Sequence, residues 1–209
     1  MKKLATAMAI ILLWNACKFG NEKKTLPIYG NRTPITKVVN GQTSTDTIYQ
    51  TIPAFKFIDQ YGDSISNKNL AGKIYVADFF FTTCPSICPI MQRNMLNDYD
   101  VFKNTNDVKI LSYTIDPKHD SVAVLKQYAD KLGIAGNTWW FLQGKKEDTY
   151  QLAEKNYLVA VKQDSTVSGG YIHQGYFVLI DKNGNIANAM APQPSDPKAE
   201  QLINQLLAE

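Results

Sequence analysis

The sequence predicts an α/β domain in which a central mixed sheet is flanked by helices. Three observations point there. "KIYVADFFF" (73–81) and "VKILSYTI" (108–115) are continuous apolar runs rich in β-branched and aromatic residues, as suits strands buried on both faces. Segments of helical period alternate with them, which implies parallel strands joined by right-handed crossovers. A Lys182-Asn183-Gly184 turn between two apolar runs implies an antiparallel pair at the end. That combination is the thioredoxin-like plan, in which ligands and reactive groups gather at the C-terminal ends of the parallel strands.

The elements follow in order. The chain of 209 residues has length enough for one domain and a tail. It opens with "MKKLATAMAIILLWNAC", a basic start and an apolar run too short to span a bilayer. This reads as an export signal, and Ala16-Cys17 resembles the cleavage site of bacterial lipoproteins, with Cys17 as the lipidated residue. Trp14 stands where such sites usually carry leucine. Residues 18–50 are polar and rich in turn formers, and read as a tether with one short hairpin around Asn40-Gly41. Thirty flexible residues would span roughly 30 Å.

The domain is expected over 51–209. "AFKFIDQYGDSIS" reads as two short strands around Tyr61-Gly62-Asp63, and "IMQRNMLNDYDVF" as a helix with Met91, Met95, Tyr99 and Phe102 on one side. "HDSVAVLKQYADKLGI" and "KKEDTYQLAEKN" read as helices. "TWWFL", "YLVAV", "YIHQGYFVLID" and "NIANAM" read as strands. Asp196-Pro197 fits the start of a last helix with Leu202, Ile203, Leu206 and Leu207 inward. Net charge is +3, from 22 basic and 19 acidic residues, and removing Lys2 and Lys3 with the leader lowers it to +1. That balance gives no basis for a nucleic-acid partner.

The chemistry is concentrated in "DFFFTTCPSICPIMQRNM" (78–95), where Cys84 and Cys88 follow a buried strand and each precedes a proline. A thiolate at a helix start has a lowered pKa. Four-residue spacing puts both sulfurs on one face, with Cβ atoms roughly 5–6 Å apart if helical. Either a disulfide or chelation of one soft ion is then within reach. Pro85 and Pro89 favour a rigid loop opening a helix over a helix running through both cysteines. A structural disulfide, a redox couple and a metal site are the competing readings. The usual oxidoreductase spacing is C-x-x-C, and here it is C-x-x-x-C. Such oxidoreductases also place a proline opposite their cysteines; the matching stretch "SGGYIHQGYF" has none and contains His173. Two sulfurs and an imidazole can make a three-coordinate Cu(I) site or part of a tetragonal Cu(II) site. His119, next to Asp120 at the start of a polar helix, reads as a solvated capping-region residue.

Four stretches carry a family resemblance: "FFFTTCPSICPIM", "LSYTIDPKHDSVAVLKQYADKLGI", "WWFLQG" and "GGYIHQGYFVLIDKNG". With these the chain resembles the Sco/SenC family over residues 52 to about 190. The resemblance implies a copper-binding, membrane-tethered thioredoxin-like domain on the periplasmic side of a bacterial membrane. Its ligands would be Cys84, Cys88 and His173. It would help assemble the dinuclear copper centre of cytochrome c oxidase, with subunit II or another copper-receiving protein as partner. A thiol–disulfide reductase acting on the same subunit, and a redox or copper sensor, are the alternatives. Asp116, in "TIDP", matches an acidic residue close to the family's site; it also suits a turn ending a strand before Pro117. Phe80 stands where such families often have glycine. Asp78 lies in an apolar strand with no partner evident, and an unpaired buried carboxylate is costly. Tyr171, Trp139 and Trp140 read as packing residues rather than a docking surface.

Overall fold

The protein was analysed as a computed structural model, which describes residues 25–190 and 198–209. The Asn40-Gly41 turn has both residues at positive φ (53° and 76°), the conformation of a two-residue hairpin turn whose twist matches its strands. It joins β1 (Arg32–Val39) to β2 (Gln42–Tyr49) in antiparallel register, Val39 opposite Gln42. The hairpin is longer than the short one expected, and its strands are largely solvent-exposed. The segments flanking it are tied down. Tyr29 N–H donates to Ile186 O (2.8 Å), Ile52 N–H to Gly184 O (2.9 Å), and Leu26 packs on the core. The stretch read as a tether therefore touches the body on either side of the hairpin, at Leu26 and Tyr29 before it and at Ile52 just after it. Cys17 and the export signal lie outside the described residues.

β3 (Lys56–Ile58) and β4 (Ser64–Ser66) form the small hairpin expected around Gly62, with Asp59 accepting the Tyr61 and Asp63 amides at 2.9 Å each. β5 (Ile74–Phe80) is buried at all seven positions. It leads into α1 (Ile87–Phe102), then β6 (Val108–Thr114), α2 (Val122–Lys131), β7 (Trp139–Leu142) and α3 (Lys146–Leu152). There follow β8 (Val161–Gln163), β9 (Tyr171–His173), β10 (Phe177–Ile180), β11 (Ile186–Met190) and α4 (Lys198–Leu207).

The main sheet has strand order β11-β10-β5-β6-β7. β5, β6 and β7 are parallel, β10 is antiparallel to β5, and β11 is antiparallel to β10. This is the thioredoxin-like arrangement. Leu125 and Ala129 of α2, and Ile203 and Leu206 of α4, are buried; Tyr128, Leu132, Leu202 and Leu207 are partly buried against the core. Asp196 and Pro197 lie outside the described residues. Trp139 and Trp140 are buried, and Trp139 stacks on Phe141 at 5.2 Å, so both are core residues.

Two strand expectations fail in the same region. "YLVAV" does not form a strand at 157: Tyr157 ends a π-type turn, and Leu158 sits at φ 59°, which breaks an extended run. "YIHQGYFVLID" is not one strand but two. β9 pairs with β8 in a small sheet of its own, and β10 belongs to the main sheet. Between them the chain passes close over the start of α1. A Cβ on Gly175 would lie 2.9 Å from Ile87 Cγ1, so any larger residue there would have to push the Ile87 side chain aside.

Candidate metal centre

β5 delivers the cysteine loop. Past its end, Cys84 N–H bonds to Phe81 O (3.2 Å), closing one turn. α1 starts at Ile87 with Ser86 as N-cap, and Ser86 makes no side-chain capping bond. The Cys88 N–H instead donates to Cys84 Sγ (3.4 Å). The first thiol thus serves one of the helix's unsatisfied amides. Cys84 lies in the loop and Cys88 in the first turn of the helix, so the helix does not run through both. Both are free thiols, 8% and 1% exposed.

His173 arrives from the other side. It ends β9, opposite Val161 of β8. The Phe81 ring packs on Tyr171 at 5.0 Å and edge-on to His173 at 5.9 Å, which fixes the inner wall. The loop leading into β9 presses on the cysteine turn at Gly169 (φ 88°), where a Cβ would lie 2.9 Å from Pro85 Cδ. His173 Nε2 comes to 3.3 Å from Cys88 Sγ and 4.0 Å from Cys84 Sγ. The three donor atoms lie within 4.8 Å of one another, and among the described residues this is the one group of three or more that could hold a metal ion. His173 Nδ1 is buried without a partner. The site opens into a cleft of about 220 Å³ lined by Phe81, Cys84, Ile87, Val167 and Tyr171. The donor set, two soft sulfurs and one imidazole, fits copper.

The family model for SCO1/SenC matches residues 43–208. The chain belongs to the SCO1/SenC family. A SCO1 protein homolog of Bacillus subtilis is 32% identical over 148 residues, covering 70% of this chain and 76% of the relative. The crystal structure of a SCO1/SenC family lipoprotein from Bacillus anthracis superposes with a TM-score of 0.69 at 30% identity, covering 77% of this chain and 96% of that one. Yeast Sco1 with copper bound gives 0.59 at 26% identity, over 77% and 88%. A further solved relative, BsSco, is described as having a disulfide switch and as one of the cytochrome c oxidase assembly proteins of the Sco family.

In this SCO1/SenC chain the two thiols are electrostatically unlike. The Cys84 thiol is held down to about 3, chiefly by a hydrogen bond from Cys88 and further by His173 and the Ser86 and Cys88 amides, against the cost of burial. The same bond, with burial, pushes Cys88 up. One contact sets both directions: it favours the thiolate at Cys84 and the proton at Cys88.

Two acids singled out in the sequence, Asp78 and Asp116, lie near the site. Asp78 is fully buried, and its partners are now visible: the Ser112 hydroxyl, in a short hydrogen bond, and Gln92 Nε2 at 3.2 Å. Trp139 Nε1–H in turn donates to Ser112 Oγ (2.9 Å). Burial raises the Asp78 carboxyl to about 7, and Ser112, His173 and Gln92 oppose the rise. Asp116 is half-buried. Its backbone carbonyl takes the His119 and Asp120 amides at 3.1 and 2.9 Å, a turn role. Its carboxylate acts on Tyr171, whose hydroxyl is raised first by burial and then by Asp116. Asp116 thus reaches the cleft wall but does not join the ligand cluster. His119 also stands outside the cluster, half-exposed and bonded to Asp120 (3.0 Å), which raises its pKa.

Asp120 and Gln92 escaped the sequence reading. Gln92 gave a signal, since it lies one helical turn beyond Cys88 on the same face. Asp120 gave none beyond standing just before a helix, where acids are ordinary.

Proposed function

We propose that the protein binds one copper ion through Cys84, Cys88 and His173 and helps assemble the dinuclear copper centre of cytochrome c oxidase. The observation that carries this reading is the convergence of two thiols and an imidazole within 4.8 Å in a member of this family. Copper is the cargo, received by oxidase subunit II or another copper-receiving protein. Cys84, the thiol whose pKa is lowered, is the readier to ligate. Cys88 must lose its proton as it does so, and His173 offers Nε2. The test is copper titration of the full-length reduced chain beside a Cys84→Ser, Cys88→Ser double variant. One copper bound by the parent and none bound tightly by the variant is expected; full-strength binding by the variant would sink the assignment.

The inequality of the two thiols favours a second reading, a thiol–disulfide reductase. Cys84 thiolate would attack a substrate disulfide and displace one sulfur as a thiolate. Cys88, giving up its proton, would then attack the mixed disulfide. The substrate gains two electrons and the one proton Cys88 releases, its other sulfur leaving as a thiolate that water can protonate, and the protein is left with a Cys84–Cys88 disulfide. Loss of a substrate disulfide on mixing with copper-free reduced protein would support it.

For location, we propose that the protein is exported to the periplasmic side of a bacterial membrane and held there by a lipid on Cys17. The support is the leader sequence and the B. anthracis relative's description as a lipoprotein. No helix among the described residues is long and apolar enough to cross a membrane. We propose residues 1–17 as the signal, 18–50 as a polar tether whose Leu26 and Tyr29 touch the body, and 51–209 as the copper-binding domain. Membrane fractionation of Cys17→Ser against the parent tests the anchor: a variant that stays on the membrane refutes it.

A further inference from the structure

Asp120 is fully buried, yet its hydrogen-bond partners come from separate pieces of chain. Oδ2 accepts the Thr82 backbone N–H (3.1 Å) and the Thr114 hydroxyl (2.5 Å). Oδ1 accepts the Thr82 hydroxyl, in a short contact, and His119 Nδ1 (3.0 Å). Four donors on two oxygens suit a carboxylate, which is an acceptor only.

The placement of those partners is what matters. Thr114 is the last residue of β6, and Thr82 stands two residues past β5 and two before Cys84. Backbone pairing between the two strands ends with Ile115 N–H on Phe80 O (2.8 Å). Two residues further along, at Thr82, Asp120 takes over as the partner. Thr82 occupies the second position of the Phe81–Cys84 turn, and its backbone and side chain are both fastened to the same carboxylate. Cys88 is fixed separately, in the first turn of α1.

We propose that Asp120 is a positioning residue for Cys84: acting through Thr82, it holds the turn so that the Cys84 sulfur meets Cys88 and His173. It touches neither sulfur. Releasing Thr82 frees the turn while leaving Cys88 in place, so the distance between the sulfurs loses its definition. The copper part of this inference rests on the proposed copper reading. Its thiol part does not, because the same turn sets how Cys84 Sγ accepts the Cys88 proton and amide.

The test uses full-length reduced chains carrying Thr82→Val, Thr82→Ser and Asp120→Asn. Thr82→Val deletes the hydroxyl arm and keeps the backbone arm. Asp120→Asn puts a donor against fixed donors. Two readouts are taken well below the unfolding temperature of each variant: the copper dissociation constant, and the equilibrium of the Cys84–Cys88 pair with a glutathione buffer. For Thr82→Val, copper binding should weaken about tenfold, the effect of losing one hydrogen bond to a charged acceptor. The thiol equilibrium should move several-fold toward the disulfide, because the reduced pair loses its mutual hydrogen bonding. Thr82→Ser should restore both, and Asp120→Asn should do at least as much as Thr82→Val. A purely structural role would lower the melting temperature and leave the thiol equilibrium of the folded chain unmoved. Wild-type values of both readouts in Thr82→Val overturn the proposal, and this holds if Asp120→Asn fails to fold. If the parent binds no copper, the copper reading falls, and the glutathione equilibrium still decides the role of Asp120.

Discussion

The cysteine arm and the histidine arm of the site are built differently. Cys84 and Cys88 sit four residues apart, between the end of a strand buried at every position and the first turn of a sixteen-residue helix. Backbone bonds within the loop, and two hydrogen bonds from Thr82 to Asp120, which Thr114 of β6 also holds, fasten that arm to the main sheet. His173 lies 85 residues beyond Cys88, on a two-stranded sheet of three-residue strands. Its neighbour Ile172 is 45% exposed, and its Nδ1 has no partner. Such a short isolated ribbon has little stability of its own and depends on what it leans against, here Phe81 and Pro85. The difference teaches that the thiols define the site and the imidazole completes it.

The largest effect expected from that division is at the sulfurs. Cys84→Ser or Cys88→Ser should each cost more copper affinity than the roughly 10–100-fold typical of losing a supporting partner. Titration of the single variants checks this, and equal retention of copper by either would erase the distinction between the arms.

Asp78 lies under both arms, and its effect should be read in pH. Its folded-state pKa of about 7 stands above the ordinary carboxyl value of 3.8. The folded protein therefore holds a proton that the unfolded chain gives up. This contribution to stability is complete below pH 4 and is lost as pH rises through 7. A shift of about three units corresponds to about 4 kcal/mol at most. Asp78→Asn should remove that slope: the fall in urea midpoint between pH 5 and pH 8 should be smaller in the variant than in the parent. A slope unchanged by the substitution would show that the carboxylate is accommodated as a charge.

The smallest of these effects belongs to His173. His173→Ala should weaken copper binding by about tenfold, or 1.4 kcal/mol, and change the Cu(II) absorption spectrum. A loss equal to that of the cysteine variants would make the two arms equivalent.

The same division governs what could be read from the sequence. The cysteine arm was legible because its information is local: an apolar run, a turn with two prolines and a helical period are all adjacent in the chain. Phe80, in place of a glycine, was read as a departure; the structure packs its ring against Tyr128 and Phe141 at 5.5 and 5.4 Å. His173 was picked out by its position in the plan, but its mounting was missed. Short strands that pair with each other outside the main sheet leave a pattern no different from a long strand with an interruption; Leu158 breaks it by a left-handed backbone and Gly175 by close approach to Ile87. Asp78 was flagged as needing a partner, and the partners came from β6 and α1. Asp120 was passed over because its fastening to Thr82 spans 38 residues.

The central claim is that the two thiols are the copper ligands, and it has one direct measurement. A sulfur bonded to its neighbour cannot also serve as a thiolate ligand. The full-length chain is oxidised until mass spectrometry shows the loss of two hydrogens, and its copper uptake is compared with that of the reduced chain. The reduced chain should take up one copper per monomer and the oxidised chain none, with uptake returning when a reductant is added. Equal copper binding by the oxidised and reduced chains would contradict the account.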